Sequence, residues 1–185
     1  QTCALPIYDF KIIEDCAHAI GAHYEEKHLG NFGSAGCFSF YPTKNITTIE
    51  GGMVVTNSKD IAEYIMSARN HGLTKTLSQR YSIGKPWDYD MRESGYNYRL
   101  DEIRSSLGLS QLKRIKKINK LRERRFEYYN KRLKGIDHIT TPSSSSKNDH
   151  AYHLYILKVE PNKKISRDIL FKKLLERGIR TSVQI

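Results

Sequence analysis

Four residues of this chain have the types and spacing to share one site. Lys44 sits in the stretch FSFYPTKNITTIEGG, Ser39 comes five residues before it, and Asp15 and His18 lie in IIEDCAHAIG. A lysine amine can hold an aldehyde as a Schiff base. A carboxylate can keep a pyridine nitrogen protonated so that the ring draws in electrons, and a hydroxyl can bind phosphate. The lysine, the acid and the serine are the parts that a pyridoxal phosphate site requires.

Such residues must be brought together by elements that present them at a common edge. Residues Lys11 to Glu14 read as a short buried strand whose carboxyl end presents Asp15. Ala35 to Phe40 read as a second strand ending just before Lys44, and Gly51 to Thr56 as a third. Ligands of α/β sheets bind beyond the carboxyl ends of strands, so Asp15 and Lys44 are expected to converge there. Asn57 or Ser58 is expected to cap a helix running to about Asn70, stopped by His71 and Gly72. Leu73 to Met91 has no clear period and reads as a loop. Asp101 caps a long helix, with a break expected near Lys117 to Asn119. The polar tract Pro142 to Asp149 reads as a loop, His150 to Glu160 as a strand, and Ser166 as the cap of a helix that ends at Gly178.

Six blocks follow one another in the order EDCAHAIGA, LGNFGSAGCFSFYPTKN, EGGMVVTNS, NHG, GYNYRLDEI and LGLSQL. In this order they resemble the DegT/DnrJ/StrS family, from about Lys11 to the last residue. The resemblance implies the α/β fold of the type I pyridoxal phosphate transferases: part of a mostly parallel large domain with helices, then the start of an α+β small domain. It also implies amination of keto sugars carried on nucleotides, with amino groups drawn from a donor such as glutamate, in a homodimer with shared sites. Carried over by position, Lys44 is the lysine that binds the cofactor and shuttles the proton. Asp15 partners the pyridine nitrogen, His18 contacts the ring near its phenolic oxygen, and Ser39 binds the phosphate. Asn97 reaches the phosphate from the other subunit. Tyr41 departs from the family pattern, where many relatives carry His, and bears on substrate more than on chemistry.

Each of these residues also has a plainer reading. Asp15 could cap a helix after its strand, His18 could be a hydrogen-bonded core histidine, and Ser39 an ordinary strand serine. Asn97 and Arg99 could simply order their loop. Gly51 and Gly52 are assigned a turn and no ligand.

The first seven residues, QTCALPI, match the translated end of a short-read sequencing adaptor, so residues 1–7 read as an artefactual start. The expected division is then 8–117 for the partial large domain and 118–185 for a connecting helix and partial small domain. On this reading the chain lacks the leading phosphate-binding segment and is expected to be inactive by itself. Cys16 and Cys37 sit in apolar runs without metal-ligand spacing, which suggests buried free thiols, no metal and a cytoplasmic setting. No apolar run approaches the ~20 residues that cross a bilayer.

The formal net charge is +11, and much of the excess lies between Arg104 and Lys134. There the charged positions alternate with Ile103, Leu107, Leu112, Ile115, Ile118 and Leu121, the spacing of a solvated helix face, which makes nucleic-acid binding an unfavoured reading. Three functions stay in play. The first is a sugar aminotransferase acting at the sugar's 4-position for surface polysaccharide or lipopolysaccharide assembly. The second is a sugar dehydratase of the same family, which Lys44 argues against because such enzymes replace the lysine. The third is a noncatalytic regulatory or nucleic-acid-binding protein on this scaffold.

Overall fold

A computed structural model describes residues 10–143, 148–162 and 165–183. The expected artefactual start at 1–7 and residues 144–147, half of the Pro142 to Asp149 tract, lie outside the described residues. In chain order the elements are β1 (Ile13–Asp15), β2 (His23–Tyr24), β3 (Lys27–His28), β4 (Ala35–Ser39), β5 (Gly52–Val55), α1 (Lys59–Ala68), α2 (Leu77–Ser82), α3 (Glu102–Leu112), α4 (Ile115–Leu133), β6 (Ile139–Thr140), β7 (Asn148–Asp149), β8 (Lys158–Val159) and α5 (Arg167–Glu176).

The central sheet has the order β1-β4-β5, with β1 parallel and β5 antiparallel to β4. The apolar side chains of β4 explain its central place: Phe38 and the following Phe40 are buried with Cys16, Ile20 and Ile46. Ala19, Leu29, Val55, Ile115 and Ile118 pack around that cluster. Gly36 lies so close to the loop before it that a Cβ there would meet the backbone of Gly30. Only glycine lets loop and strand approach this closely.

The caps fall where the sequence places them. The side chains of Ser58, Asp101 and Ser166 accept hydrogen bonds from the N–H groups of Ile61, Arg104 and Ile169. Each satisfies a backbone donor that has no partner within its own helix. His71 and Gly72 follow α1 with positive φ, as does Gly178 after α5.

Other expectations need correction. Strand β1 is exposed instead of buried, with Ile13 71% accessible, because β4 flanks it on one edge only. No helix follows it. The chain turns and forms the β2–β3 hairpin, whose two-residue turn holds Glu25 and Glu26 at φ 46° and 66°. A short helix, α2, interrupts the expected loop at 73–91, started by a reciprocal cap between Thr76 and Gln79. The long helix breaks at Lys113 and Arg114, earlier than expected, and Ile115 and Ile118 beyond the bend reach the core. The apolar positions before the bend stay exposed, Ile103 by 85%. Of the expected strand at 150–160, only Lys158–Val159 pairs, against β6. A strand needs an edge to pair with, and residues 150–157 meet none among the described elements. Among the described residues no helix is long and apolar enough to cross a membrane.

Candidate active site

Parallel pairing sets the geometry of the site. Asp15, the last residue of β1, is in register with Cys37, so Ser39 emerges two residues farther along β4 at the same end of the sheet. Phe40 follows, and a tight turn closes with the Lys44 N–H donating to the Tyr41 carbonyl at 2.9 Å. Pro42 occupies the second position of that turn, where its fixed φ is favoured. Lys44 is half-buried, and none of the ion pairs among the described residues involves it.

The loop that carries the lysine is closed at its base, where Phe40 N–H donates to Gly51 O and Thr48 N–H to Phe40 O, both at 2.9 Å. Ile46 and Thr48, accessible by 2% and 1%, plug it into the core. The side-chain amide of Gln111 on α3 pairs with the backbone of Thr47 in both directions. Asn45, next to the lysine, is buried. Its Nδ2 donates to Ala151 O at 2.6 Å and to Asn119 Oδ1 at 3.0 Å.

Asp15 is exposed, and its Oδ1 accepts the Ala17 N–H at 3.0 Å, so it supports the turn after β1 in place of the helix cap that sequence allowed. His18 is exposed, with its ring centroid 4.2 Å from that of His153. The Ser39 Oγ accepts weakly from Tyr41 N–H at 3.4 Å, which leaves its own hydrogen for another acceptor. Asn97 is exposed on a segment bound to the end of α1, where Tyr96 N–H donates to Ala68 O at 2.7 Å and Tyr98 N–H to Arg69 O at 2.9 Å. Arg99 orders this segment by donating to Asn70 Oδ1 at 3.0 Å. The structure thus gathers Asp15, His18, Ser39 and Lys44 at one sheet end. Among the described residues no hydrogen bond or ring contact joins Asn97 to them.

The donor set suits the group expected from the sequence: an unpaired amine for an aldehyde, a carboxylate for a ring nitrogen and a hydroxyl for a phosphate. Two clefts, of about 550 Å³ beside His23, His28 and Lys116 and about 480 Å³ beside α5, lie elsewhere and do not include Lys44.

Sequence reasoning missed Asn45, Gln111, Asn119 and His153. Burial and the nearby charges of His18, Lys44 and Arg122 push the His153 imidazole down to about 4. It also missed Glu14, whose carboxylate accepts N–H bonds from Gly30, Phe32 and Gly33 at 2.6 to 2.7 Å. Burial acts to raise the Glu14 pKa, but those three bonds and the Lys27 charge hold it below the ordinary carboxylate range. Cys16 is a buried thiol pushed up to about 11, by burial first and nearby acids second, and Cys37 is half-buried.

The sequence profile of the DegT/DnrJ/EryC1/StrS aminotransferase family matches residues 7–184. Uncharacterized protein MJ1066 of Methanocaldococcus jannaschii is 41% identical over 177 residues, 95% of this chain and 46% of that protein. A UDP-4-amino-4,6-dideoxy-N-acetyl-β-L-altrosamine transaminase of Campylobacter jejuni is 35% identical over 176 residues, 95% of this chain and 45% of the relative. The solved structure of Helicobacter pylori PseC, an aminotransferase involved in the biosynthesis of pseudoaminic acid, superposes with a TM-score of 0.84 at 31% identity, covering 95% of this chain and 45% of its own. The chain spans less than half the length of each.

Proposed function

The chain belongs to the DegT/DnrJ/EryC1/StrS aminotransferase family, and from that premise we propose that it forms part of a pyridoxal phosphate-dependent enzyme that aminates a keto sugar carried on a nucleotide. The observation that carries this reading is the emergence of Asp15, Ser39 and the Lys44 turn at one end of the β1–β4 pair. When bound, pyridoxal phosphate supplies an electron-withdrawing ring that stabilises negative charge on the reacting carbon. Lys44 Nζ anchors the aldehyde and carries the proton. The Asp15 carboxylate would keep the hydrogen on the ring nitrogen, the His18 imidazole would contact the ring, and the Ser39 hydroxyl would donate to the phosphate. Asn97 serves the phosphate of a neighbouring subunit in a homodimer.

Glutamate is our proposed amino donor and the sugar's 4-position our proposed site of amination, for assembly of surface polysaccharide or lipopolysaccharide. The Campylobacter relative, whose name carries a UDP group and a 4-amino function, supports the nucleotide and the position. Residues 8–117 then belong to the large domain and 118–185 to the connecting helix and small domain, in a cytoplasmic enzyme whose remaining segments complete the site. By itself the chain would be inactive.

The test is to load the full-length protein with pyridoxal phosphate, reduce it with borohydride and locate the adduct by peptide mass spectrometry. The expected result is a visible absorbance band that reduction removes, an adduct on Lys44, and amino transfer from glutamate to a UDP-linked 4-keto sugar. Absence of an adduct at Lys44 would overturn the assignment.

A further inference from the structure

The amides around the lysine turn fix more than its shape, and we infer that His153 is a positioning residue of this site, locked by Asn45 as the neutral imidazole with its hydrogen on Nδ1. The assignment follows from hydrogen-bond direction. Asn119 Nδ2 donates to the Ile20 carbonyl at 3.0 Å, which leaves Asn119 Oδ1 as an acceptor. Asn45 supplies the donor at 3.0 Å, and the same Nδ2 also serves the Ala151 carbonyl at 2.6 Å. Flipping the Asn45 amide would aim an oxygen at two oxygens, so its Oδ1 must be the atom that faces His153 Nδ1 at 2.9 Å. Only an N–H on that nitrogen can make the bond.

The second ring nitrogen stays bare because the surroundings disfavour a cation. The groups that act on the ring are His18, whose ring lies tilted against it with centroids 4.2 Å apart, the Lys44 ammonium and the Arg122 guanidinium. Arg122 also donates to the carbonyls of Tyr152 and His153 at 3.3 and 3.1 Å. None of the three is an acid, and burial adds to their effect. A protonated His153 would place a positive charge next to Lys44 and His18, whereas the neutral ring holds His18 in place and adds none. Residues 151–153 thereby become part of the lysine site, held by the residue that directly follows Lys44 in sequence.

This inference deepens the reading of Lys44 as the cofactor lysine and rests on it, but its first test needs no cofactor. In the full-length protein labelled with ¹⁵N-histidine, the His153 ring is expected to show a protonated Nδ1 and an unprotonated Nε2 at pH 7, titrating near 4. A hydrogen on Nε2, or titration at the ordinary 6.5, would overturn the lock. The second test compares His153→Asn, whose amide can still donate to Asn45, with His153→Phe, which keeps a ring and loses the bond. In the holoenzyme the Phe variant is expected to shift the pH at which the lysine-bound absorbance changes and to lower turnover at least tenfold, with the Asn variant restoring much of both. Equal, wild-type-like behaviour of the two variants would overturn the positioning role. If the wild-type protein shows no borohydride adduct at Lys44, the cofactor reading fails, and the tautomer measurement alone decides whether Asn45 locks His153.

Discussion

Gln111 and Thr47 pair as two strand residues would: the Gln111 Oε1 accepts the Thr47 N–H at 3.1 Å, and its Nε2 donates to the Thr47 carbonyl at 2.6 Å. A side chain on α3 thus replaces a strand edge for a loop that has none, three residues beyond Lys44. Gln111→Ala should destabilise the protein by about 1–3 kcal/mol, since it strands two backbone groups that are partly shielded from water. Hydrogen exchange should rise first in residues 44–49. Unchanged exchange there would show that the loop is held without the amide.

Lys44→Ala should abolish the borohydride-sensitive band in the full-length protein and lower transamination roughly a thousandfold or more, since it removes both nucleophile and proton carrier. Lys44→Arg should fail in the same way, because a guanidinium stays protonated and cannot condense with an aldehyde. Asp15→Asn should retain the band and lose turnover. Turnover at the wild-type rate would leave Asp15 with its turn bond to Ala17 as its only role.

Glu14 is expected to make the fold acid-sensitive. Its folded pKa lies below the ordinary value of 4.5, so its contribution is present above that value and is lost as pH falls through the folded pKa. Glu14→Gln should be less stable at pH 7 and should lose stability less steeply below about pH 4.5. Urea midpoints measured from pH 3 to 7 check this, and parallel curves for the two proteins would sink it.

Two residues in the β2–β3 turn hold positive φ without being glycine or asparagine. The double substitution Glu25→Asn and Glu26→Gly should therefore stabilise the protein by about 1 kcal/mol. A lower urea midpoint for this variant would refute the strain argument.

If Asn97 serves a neighbouring subunit, a heterodimer of wild type and a Lys44→Ala/Asn97→Ala double mutant contains two singly damaged sites. Isolated heterodimers should then be nearly inactive. Half the wild-type activity would place both residues in one chain's site.

The parts of this protein that could be read from its sequence are those set by neighbours in the chain. The caps at Ser58, Asp101 and Ser166 depend on residues three positions on, and the Ser39-to-Lys44 spacing is local as well. The signal for α2 was also there, in Thr76 and Gln79. What stayed hidden depends on distant partners. A side-chain amide gives no sign of which backbone it will meet: Gln111 meets Thr47 across 64 positions, and Asn45 meets His153 across 108. The exposure of β1 is also a property of the sheet edge, and its apolar residues alone read as buried.

Those separations govern when the site can come into being. Asn119 reaches back 99 positions to Ile20 and 74 to Asn45, and Ala151 reaches back 106. Contacts of such range form only after the intervening loop has closed, an entropic delay that slows their appearance in folding. On the ribosome the lysine turn is therefore made early and finished late: Lys44 emerges more than a hundred residues before the histidine that helps to hold it. A nascent chain cut short of residue 153 would carry Lys44 in a turn whose neighbour Asn45 still lacks its bonds to Ala151 and His153.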